Sequence, residues 1–344
     1  MKKFISILVP YYNEGESVVK HLLDSIAVQQ NFDLNELEVI ICKDGDEGQD
    51  LSQEFLDSYN FDIHYHKEPK GGVSDMRNKA FEYSVGDYVM WCDADDQFYH
   101  CLAFWFIKRE TTTPMQVQVN GVQQTVNGFD AMYATFLEEG RVPETGEVYF
   151  IERQDGFQFV HSKVFKKDFL VRNGIHFFKE CTIHEDNVLN LQVQACTNNI
   201  KWCPAPFYLW KWRDESVCRR DKLYIKKTYP DLIKSSNYSL EWLVNKSKFD
   251  KAREVVASIV LDAYYTFCHP SWKTIETQEY RDKAEKCFAE YFKKWEYLWN
   301  ECPDQVKMQI SSGIRQREVI QGMEMETETL EQFLTRMKKL GENQ

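Results

Sequence analysis

The sequence predicts an α/β protein: a mainly parallel sheet with flanking helices over residues 1–220, followed by a helical unit at 221–344. Three observations carry that prediction. Strand-length apolar runs alternate with amphipathic stretches from the start of the chain, the connections between them are short, and strand signals cease after Arg219.

The elements follow in order. Phe4 to Val9 is a buried strand, and Val18, Leu22, Leu23 and Ile26 mark the apolar face of a helix. Leu37 to Cys42 is a second strand, Leu51 to Tyr59 a helix, Phe61 to His66 a third strand, residues 72–84 a helix, and Tyr88 to Cys92 a fourth strand. Gln116 to Gln124 reads as a hairpin, because Asn120-Gly121 supplies a left-handed turn. A helix is expected at Phe129 to Glu138, a strand at Val148 to Ile151, and the second half of the same domain from Phe159. Residues 221–341 combine helical periodicity with many Lys/Glu pairs.

Composition narrows the classes. With 344 residues, 43% apolar and 15% aromatic, the chain can bury a substantial core, which excludes a disordered or fibrous protein. A net charge of −12 repels phosphate on average, weighing against non-specific contact with nucleic acid or an anionic membrane. Ten cysteines are spread singly with no C-x-x-C pair, the pattern of reduced, buried thiols in a cytoplasmic protein. Pro10-Tyr11-Tyr12-Asn13-Glu14 ends the first apolar run too early for a secretory leader, and no run approaches the roughly 20 apolar residues of a membrane span, so membrane contact is expected to be peripheral.

Ligands of parallel α/β sheets sit beyond the carboxyl ends of the strands. Four such ends are polar: Pro10 to Glu14, Asp44-Gly45-Asp46, Lys70-Gly71-Gly72, and Asp93-Ala94-Asp95-Asp96, and they should converge on one crevice. Asp93, Asp95 and Asp96 repel one another unless a cation lies between them, and Mn²⁺ or Mg²⁺ so held is suited to bridging a diphosphate. On its own the cluster reads more readily as a solvated turn. Asp44 is placed to accept a uracil N–H or to make an Asp-Gly turn. Gly71-Gly72 precedes a helix carrying Arg77, where amides and a guanidinium can face an anion, or where Ser74 simply caps the helix. His184-Glu185-Asp186 opens another helix. There the carboxylates either complement the helix dipole or supply a general base. Tyr208 to Arg213 alternates aromatic and basic residues, and residues 201–228 hold eight Lys/Arg against three Asp/Glu. That strip can bind a diphosphate, stack a sugar or pack the edge of the sheet.

In this order the stretches Ser6 to Glu14, Gly72 to Ala80, Gly86 to Asp96 and Glu185-Asp186-Asn187 resemble family 2 glycosyltransferases, which have a GT-A type, Rossmann-like fold. The resemblance covers about residues 1–220. It implies that Pro10, Tyr12 and Asp44 hold the nucleotide, most often uridine. Glu14, Arg77, Asp93, Ala94 and Asp95 would complete the nucleotide-sugar site, Asp95 and Asp96 with Asp93 would take the metal, and Asp186 beside Glu185 would be the base of an inverting transfer. Lys43 stands where the family often has the first of two consecutive aspartates. The expected acceptor is a glycan, a lipid-linked glycan, a protein or a modified nucleobase, with the C-terminal unit serving acceptor binding or homo-oligomerisation. A metal-dependent nucleotidyltransferase and a non-catalytic nucleotide-sugar-binding module are the rival readings. The first would want a basic, Gly-rich loop after the first strand, and the second would have no need of these carboxylates.

Overall fold

Strand β1 (Ile5–Tyr11) forms because ISILVPY is apolar on both faces, and it lies at the middle of the structure between β2 (Leu37–Asp44) and β4 (Tyr88–Trp91), parallel to both. The computed structural model describes residues 2–119, 121–142, 144–153, 158–181, 183–213, 229–269, 272, 277–320 and 328–342. β3 (Asp62–Glu68) extends the parallel set beyond β2. Around them pack α1 (Glu16–Ala27), α2 (Gln53–Asp57), α3 (Val73–Tyr83) and α4 (Ala103–Glu110), with β5 (Gln97–Phe98) following the aspartate turn. Leu22, Leu23 and Ile26 lie on the buried stripe of α1 as their spacing predicts, but its first position is Val19, with the expected Val18 only half-buried beside it.

The middle of the chain departs from expectation. β6 (Pro114–Val119) and β7 (Val122–Asn127) form the predicted hairpin, with Gly121 in the left-handed region at φ 78°. The helix expected at Phe129 to Glu138 is instead two strands, β8 (Ala131–Ala134) and β9 (Phe136–Arg141). The apolar run Ala131-Met132-Tyr133-Ala134 is buried throughout, so it has no polar face to give a helix. It sits between β11 (Lys163–Lys166) and β12 (Ile200–Cys203), where tertiary pairing overrides local propensity.

The main sheet has the order β12-β8-β11-β4-β1-β2-β3, parallel except where β11 runs against β4 and β8. A second sheet, β10-β9-β13-β5, contains β10 (Val148–Arg153) and β13 (Tyr208–Trp210). Helices α5 (Lys167–Asn173) and α6 (Glu185–Cys196) complete the unit spanning residues 1–214.

Residues 215–344 form a second compact unit. Its described elements are helices α7 (Tyr229–Asn245), α8 (Phe249–Phe267), α9 (Gln278–Glu301), α10 (Asp304–Ile320) and α11 (Leu330–Glu342). Phe288 on α9 packs with Phe267 of α8 and Phe333 of α11, and Arg336 ties Glu285 to Glu328 at 2.5 and 2.6 Å. Among the described residues no helix is long and apolar enough to cross a membrane.

Candidate active site

Two groups of side chains meet beyond the carboxyl ends of β1, β2 and β4. On the β2 side, Asp44 accepts the amides of Gly71 (2.7 Å) and Gly72 (3.2 Å). Gly72 can present its amide there because it caps α3 at φ 82°, a conformation that strains any residue with a Cβ. After β1, the Glu14 carboxylate accepts the amides of Tyr12 and Asn13, which curls the loop following Pro10. Tyr12 lies exposed at the rim, donating to Glu47 at 2.8 Å, while Lys70 pairs with Glu47 at 2.9 Å and stands 5.8 Å from the Tyr12 ring.

Lys43 is wholly buried. Its ammonium reaches Asp50 at 2.6 Å and the Gly48 carbonyl at 3.3 Å, locking the loop after Asp44 from beneath. Lys67 and Tyr65 also bond Asp50, and these partners, Lys43 first, hold its pKa below the carboxylate range. Lys43 therefore supports the loop from inside.

The second group is organised by Arg77. Its guanidinium, 4% exposed, donates to Glu185 and Asp186 at 2.8 Å each and to Asp93 at 3.1 Å, over the ring of Phe177 at 5.1 Å. α3 aims it there because Trp91 of β4 donates to the Arg77 carbonyl, and Asn78 exchanges hydrogen bonds with the Phe177 backbone at 2.9 and 3.0 Å. His184, left-handed at φ 68°, precedes α6 and brings Glu185 and Asp186 into its first turn. Burial opposes the charge on Arg77, but Asp186, Asp93 and Glu185 outweigh it and raise its pKa.

Burial also pushes the Asp186 carboxyl up to about 7, helped by Glu185 and Asp93 and opposed by Arg77 and the Val160 amide, which donates to it at 3.0 Å. A carboxylate so poised can take a proton near neutral pH.

The three aspartates of the turn differ sharply. Asp96 is 0% exposed and spends both oxygens, on the Tyr208 hydroxyl (2.6 Å) and the Lys211 amide (2.9 Å), so it anchors the turn to β13. Tyr208 also accepts the Asp93 amide at 3.2 Å, and Ala94 is buried in the core. Asp93 and Asp95 keep side chains 37% and 24% exposed, and each has one oxygen on an arginine, Arg77 and Arg213 respectively. Burial and then the Asp93 charge raise the Asp95 pKa against Arg213. Arg213 lies 4.0 Å from Glu14 as well, joining the β1 loop to the turn.

Among the described contacts, Asp93, Glu185 and Asp186 lie on Arg77, Glu14 and Asp95 on Arg213, and Asp96 on the Tyr208 hydroxyl and the Lys211 amide. Among the described residues no cluster of three or more His, Cys, Asp or Glu is arranged to hold a metal by itself. Two accessible carboxylates on one turn, repelling each other, nevertheless fit a Mg²⁺- or Mn²⁺-type cation that completes its shell with diphosphate oxygens and water. Asp96, with both oxygens engaged, does not offer that opening.

Of the residues singled out in the sequence, Arg77 brings Asp93, Glu185 and Asp186 together and Arg213 brings Asp95 toward Glu14, while Asp44 and Tyr12 make their contacts with Gly71, Gly72 and Glu47. The amides of Val160 and Lys211 had no sequence signal of their own, and the roles of the Tyr208 hydroxyl and the buried Lys43 were not read from the sequence. Alternation along residues 208–213 did put Tyr208 and Trp210 on one face of a strand.

Residues 6–103 match the family described as glycosyl transferase family 2. The chain is 26% identical over 220 residues to the poly(ribitol-phosphate) beta-N-acetylglucosaminyltransferase TarS of Staphylococcus aureus, covering 62% of this chain and 36% of that protein. Against a poly(ribitol-phosphate) beta-glucosyltransferase of Bacillus spizizenii it is 23% identical over 291 residues, 82% of this chain and 43% of the relative. The chain therefore spans well under half the length of these two relatives. The crystal structure of S. aureus TarS 1-349 in complex with UDP-GlcNAc is similar in fold, with a TM-score of 0.61 at 16% identity over 91% of this chain and 92% of that one. The likeness is one of fold, in line with the GT-A type that the resemblance implies.

Proposed function

We propose that the protein is an inverting glycosyltransferase that moves a sugar from a UDP-linked donor to an acceptor hydroxyl, with Asp186 as the base. The supporting observation is Arg77, one buried guanidinium bonded at once to Asp93 of the turn and to Glu185 and Asp186 of α6. It sets the group that would receive the acceptor proton a fixed distance from the group that would handle the leaving diphosphate.

Asp95 and Asp93 would hold Mn²⁺ or Mg²⁺, which supplies positive charge to the departing diphosphate. Asp96 and Tyr208 keep the turn in shape, and Arg213, paired with Asp95 at 3.0 Å, would pass to a phosphate oxygen. Asp44, Pro10 and Tyr12 take the nucleoside, Glu14 shaping their loop. Asp186 accepts the hydroxyl proton as the acceptor oxygen attacks the anomeric carbon opposite the diphosphate, while Glu185 and Arg77 orient it. Relatives named for poly(ribitol-phosphate) favour a glycan-type acceptor.

Calorimetric titration of UDP and GDP with and without Mn²⁺, paired with an assay of UDP release from UDP-sugars, tests this reading. UDP binding that needs the metal and is lost in Asp95→Ala is expected. Equal, metal-independent binding of both nucleotides would sink it.

A further inference from the structure

The second sheet ends on one side at β10, which pairs with β9 and has no strand beyond it among the described residues. Every residue of β10 is exposed, and four in succession are large and apolar: Val148, Tyr149, Phe150 and Ile151, each between 38% and 52% exposed. Tyr149 rests across Gly140 of β9, where a Cβ would run into its ring, and the exposed Tyr99 lies 6.5 Å from Phe150. The register with β9 runs unbroken from Val148 opposite Arg141 to Arg153 opposite Phe136, so the strand has no bulge.

An open edge is a template for a further strand, and proteins protect such edges with charge, proline, bulges or brevity. The other edges of the two large sheets are protected. β3 carries Asp62, His64, His66, Lys67 and Glu68, β12 is four residues long with Lys201 among them, and β5 has only two residues. β10 has no lysine, proline or bulge, and its charges, Glu152 and Arg153, stand together at one end.

The opposite charge stands just before the strand. Glu147 is held at the turn, its carbonyl accepting the Val142 amide at 2.9 Å and its own amide donating to Thr145 at 3.2 Å. Arg153 bonds Glu138 and still leaves 49% of its side chain exposed. Antiparallel strands related by a two-fold axis set side chains of the same face opposite one another, so the axis must pass at a residue position. With the axis at Phe150, Phe150 faces its own copy, Tyr149 faces Ile151, Val148 faces Glu152, and Glu147 faces Arg153 at both ends. With the axis at Tyr149, Glu147 faces Ile151; with the axis at Ile151, Phe150 faces Glu152 and Tyr149 faces Arg153. Opposite charges meet only in the register centred on Phe150.

We propose that β10 is a self-association surface: two copies of the chain join β10 to β10, antiparallel about a two-fold axis at Phe150, and the second sheet continues from one copy into the other. Main-chain hydrogen bonds supply the joint, and the apolar residues and the two Glu147–Arg153 pairs fix its register. Because β9 pairs in turn with β13, whose Tyr208 bonds Asp96, the joined sheet includes the strand that anchors the aspartate turn in each copy. One strand per copy is a small contact, so the association is reversible and depends on concentration.

Sedimentation velocity of the full chain over a concentration series reads the association, and disulfide trapping reads its register. The wild type should pass from monomer to dimer as concentration rises. Phe150→Lys sets two like charges against each other at the axis and should raise the dimer dissociation constant about a hundredfold or more. Glu147→Arg sets like charges against each other at both ends and should raise it about tenfold. Far-UV circular dichroism should be unchanged in both, since the altered side chains are exposed. Oxidation should trap Phe150→Cys as a covalent dimer above the wild-type background, because its thiols face each other across the axis. Tyr149→Cys alone should not be trapped, whereas an equal mixture of Tyr149→Cys and Ile151→Cys should be. A wild type that stays monomeric at every concentration would overturn the proposal. So would a dimer that survives Phe150→Lys, which places the contact elsewhere, or a monomer that binds anionic vesicles through Phe150, which makes the strand a lipid contact. Trapping of Tyr149→Cys as readily as Phe150→Cys would overturn the register.

Discussion

The nucleotide side of the crevice and the transfer side solve opposite electrostatic problems. Around Asp44, Glu14 and Glu47 the carboxylates are satisfied by backbone amides, a tyrosine and a lysine, and the Tyr12 ring stays exposed. Around Arg77, the carboxylates Asp93, Glu185 and Asp186 share one buried guanidinium, and burial with the neighbouring carboxylates raises the pKa of Asp186. The first arrangement is stable without ligand and suits reversible recognition. The second stores repulsion that a cation or a proton relieves, which is the condition for chemistry.

Breaking the transfer side should have the largest effect. Arg77→Leu leaves Asp93, Glu185 and Asp186 without their shared cation, and loss of one partner from a buried ion cluster costs about 3–5 kcal/mol. Urea denaturation should show a drop of that order, with transfer undetectable. Arg77→Lys keeps a charge without the fork, and should fall between.

The pH profile sharpens the same side. Asp186 must be ionised to act, so kcat/KM should rise tenfold per pH unit up to a limb near 7 and level off above it. A cation at Asp93 and Asp95 weakens the repulsion that lifts Asp186, so raising Mn²⁺ should move the limb down, while Arg77→Lys should move it up. The linked stability has the opposite sign. The folded state binds the Asp186 proton more tightly than the unfolded chain, whose carboxylate titrates at about 3.9. Its contribution is full below that value and fades as pH rises toward 7.

A smaller effect is expected on the nucleotide side. Asp44→Ala removes the acceptor of the Gly71 and Gly72 amides and of the proposed uracil N–H, and should raise the donor KM about tenfold with kcat within about threefold, a binding loss of roughly 1.4 kcal/mol. A kcat loss larger than the KM change would place Asp44 on the transfer side instead.

Much of this was legible in the sequence for a definite reason. Strand ends of a parallel sheet share one edge, so Pro10 to Glu14, Asp44, Gly71-Gly72 and Asp93 to Asp96 had to lie near each other once the alternation was read. The Phe129 to Glu138 segment was not legible, because a short apolar run buried on both faces carries no period and its pairing partners lie about residues 163–166 and 200–203. Asp93, Asp95 and Asp96 were indistinguishable as letters. Only Tyr208 and the Lys211 amide, more than a hundred residues later, make Asp96 an anchor. The Val160 amide on Asp186 is a backbone group, which any residue could supply, and so leaves no trace in side-chain identity. The basic strip at 201–228 lies within the described residues only as far as Arg213, whose pairing with Asp95 at 3.0 Å no local pattern of letters specifies.

The most direct test of the central claim, that Arg77 joins a donor turn to a base at Asp186, is Asp186→Asn measured for donor binding and for transfer in one preparation. Retained Mn²⁺-dependent UDP affinity, within about threefold, with transfer down by about 10²–10⁴ is the predicted result. Transfer at the wild-type rate would contradict it.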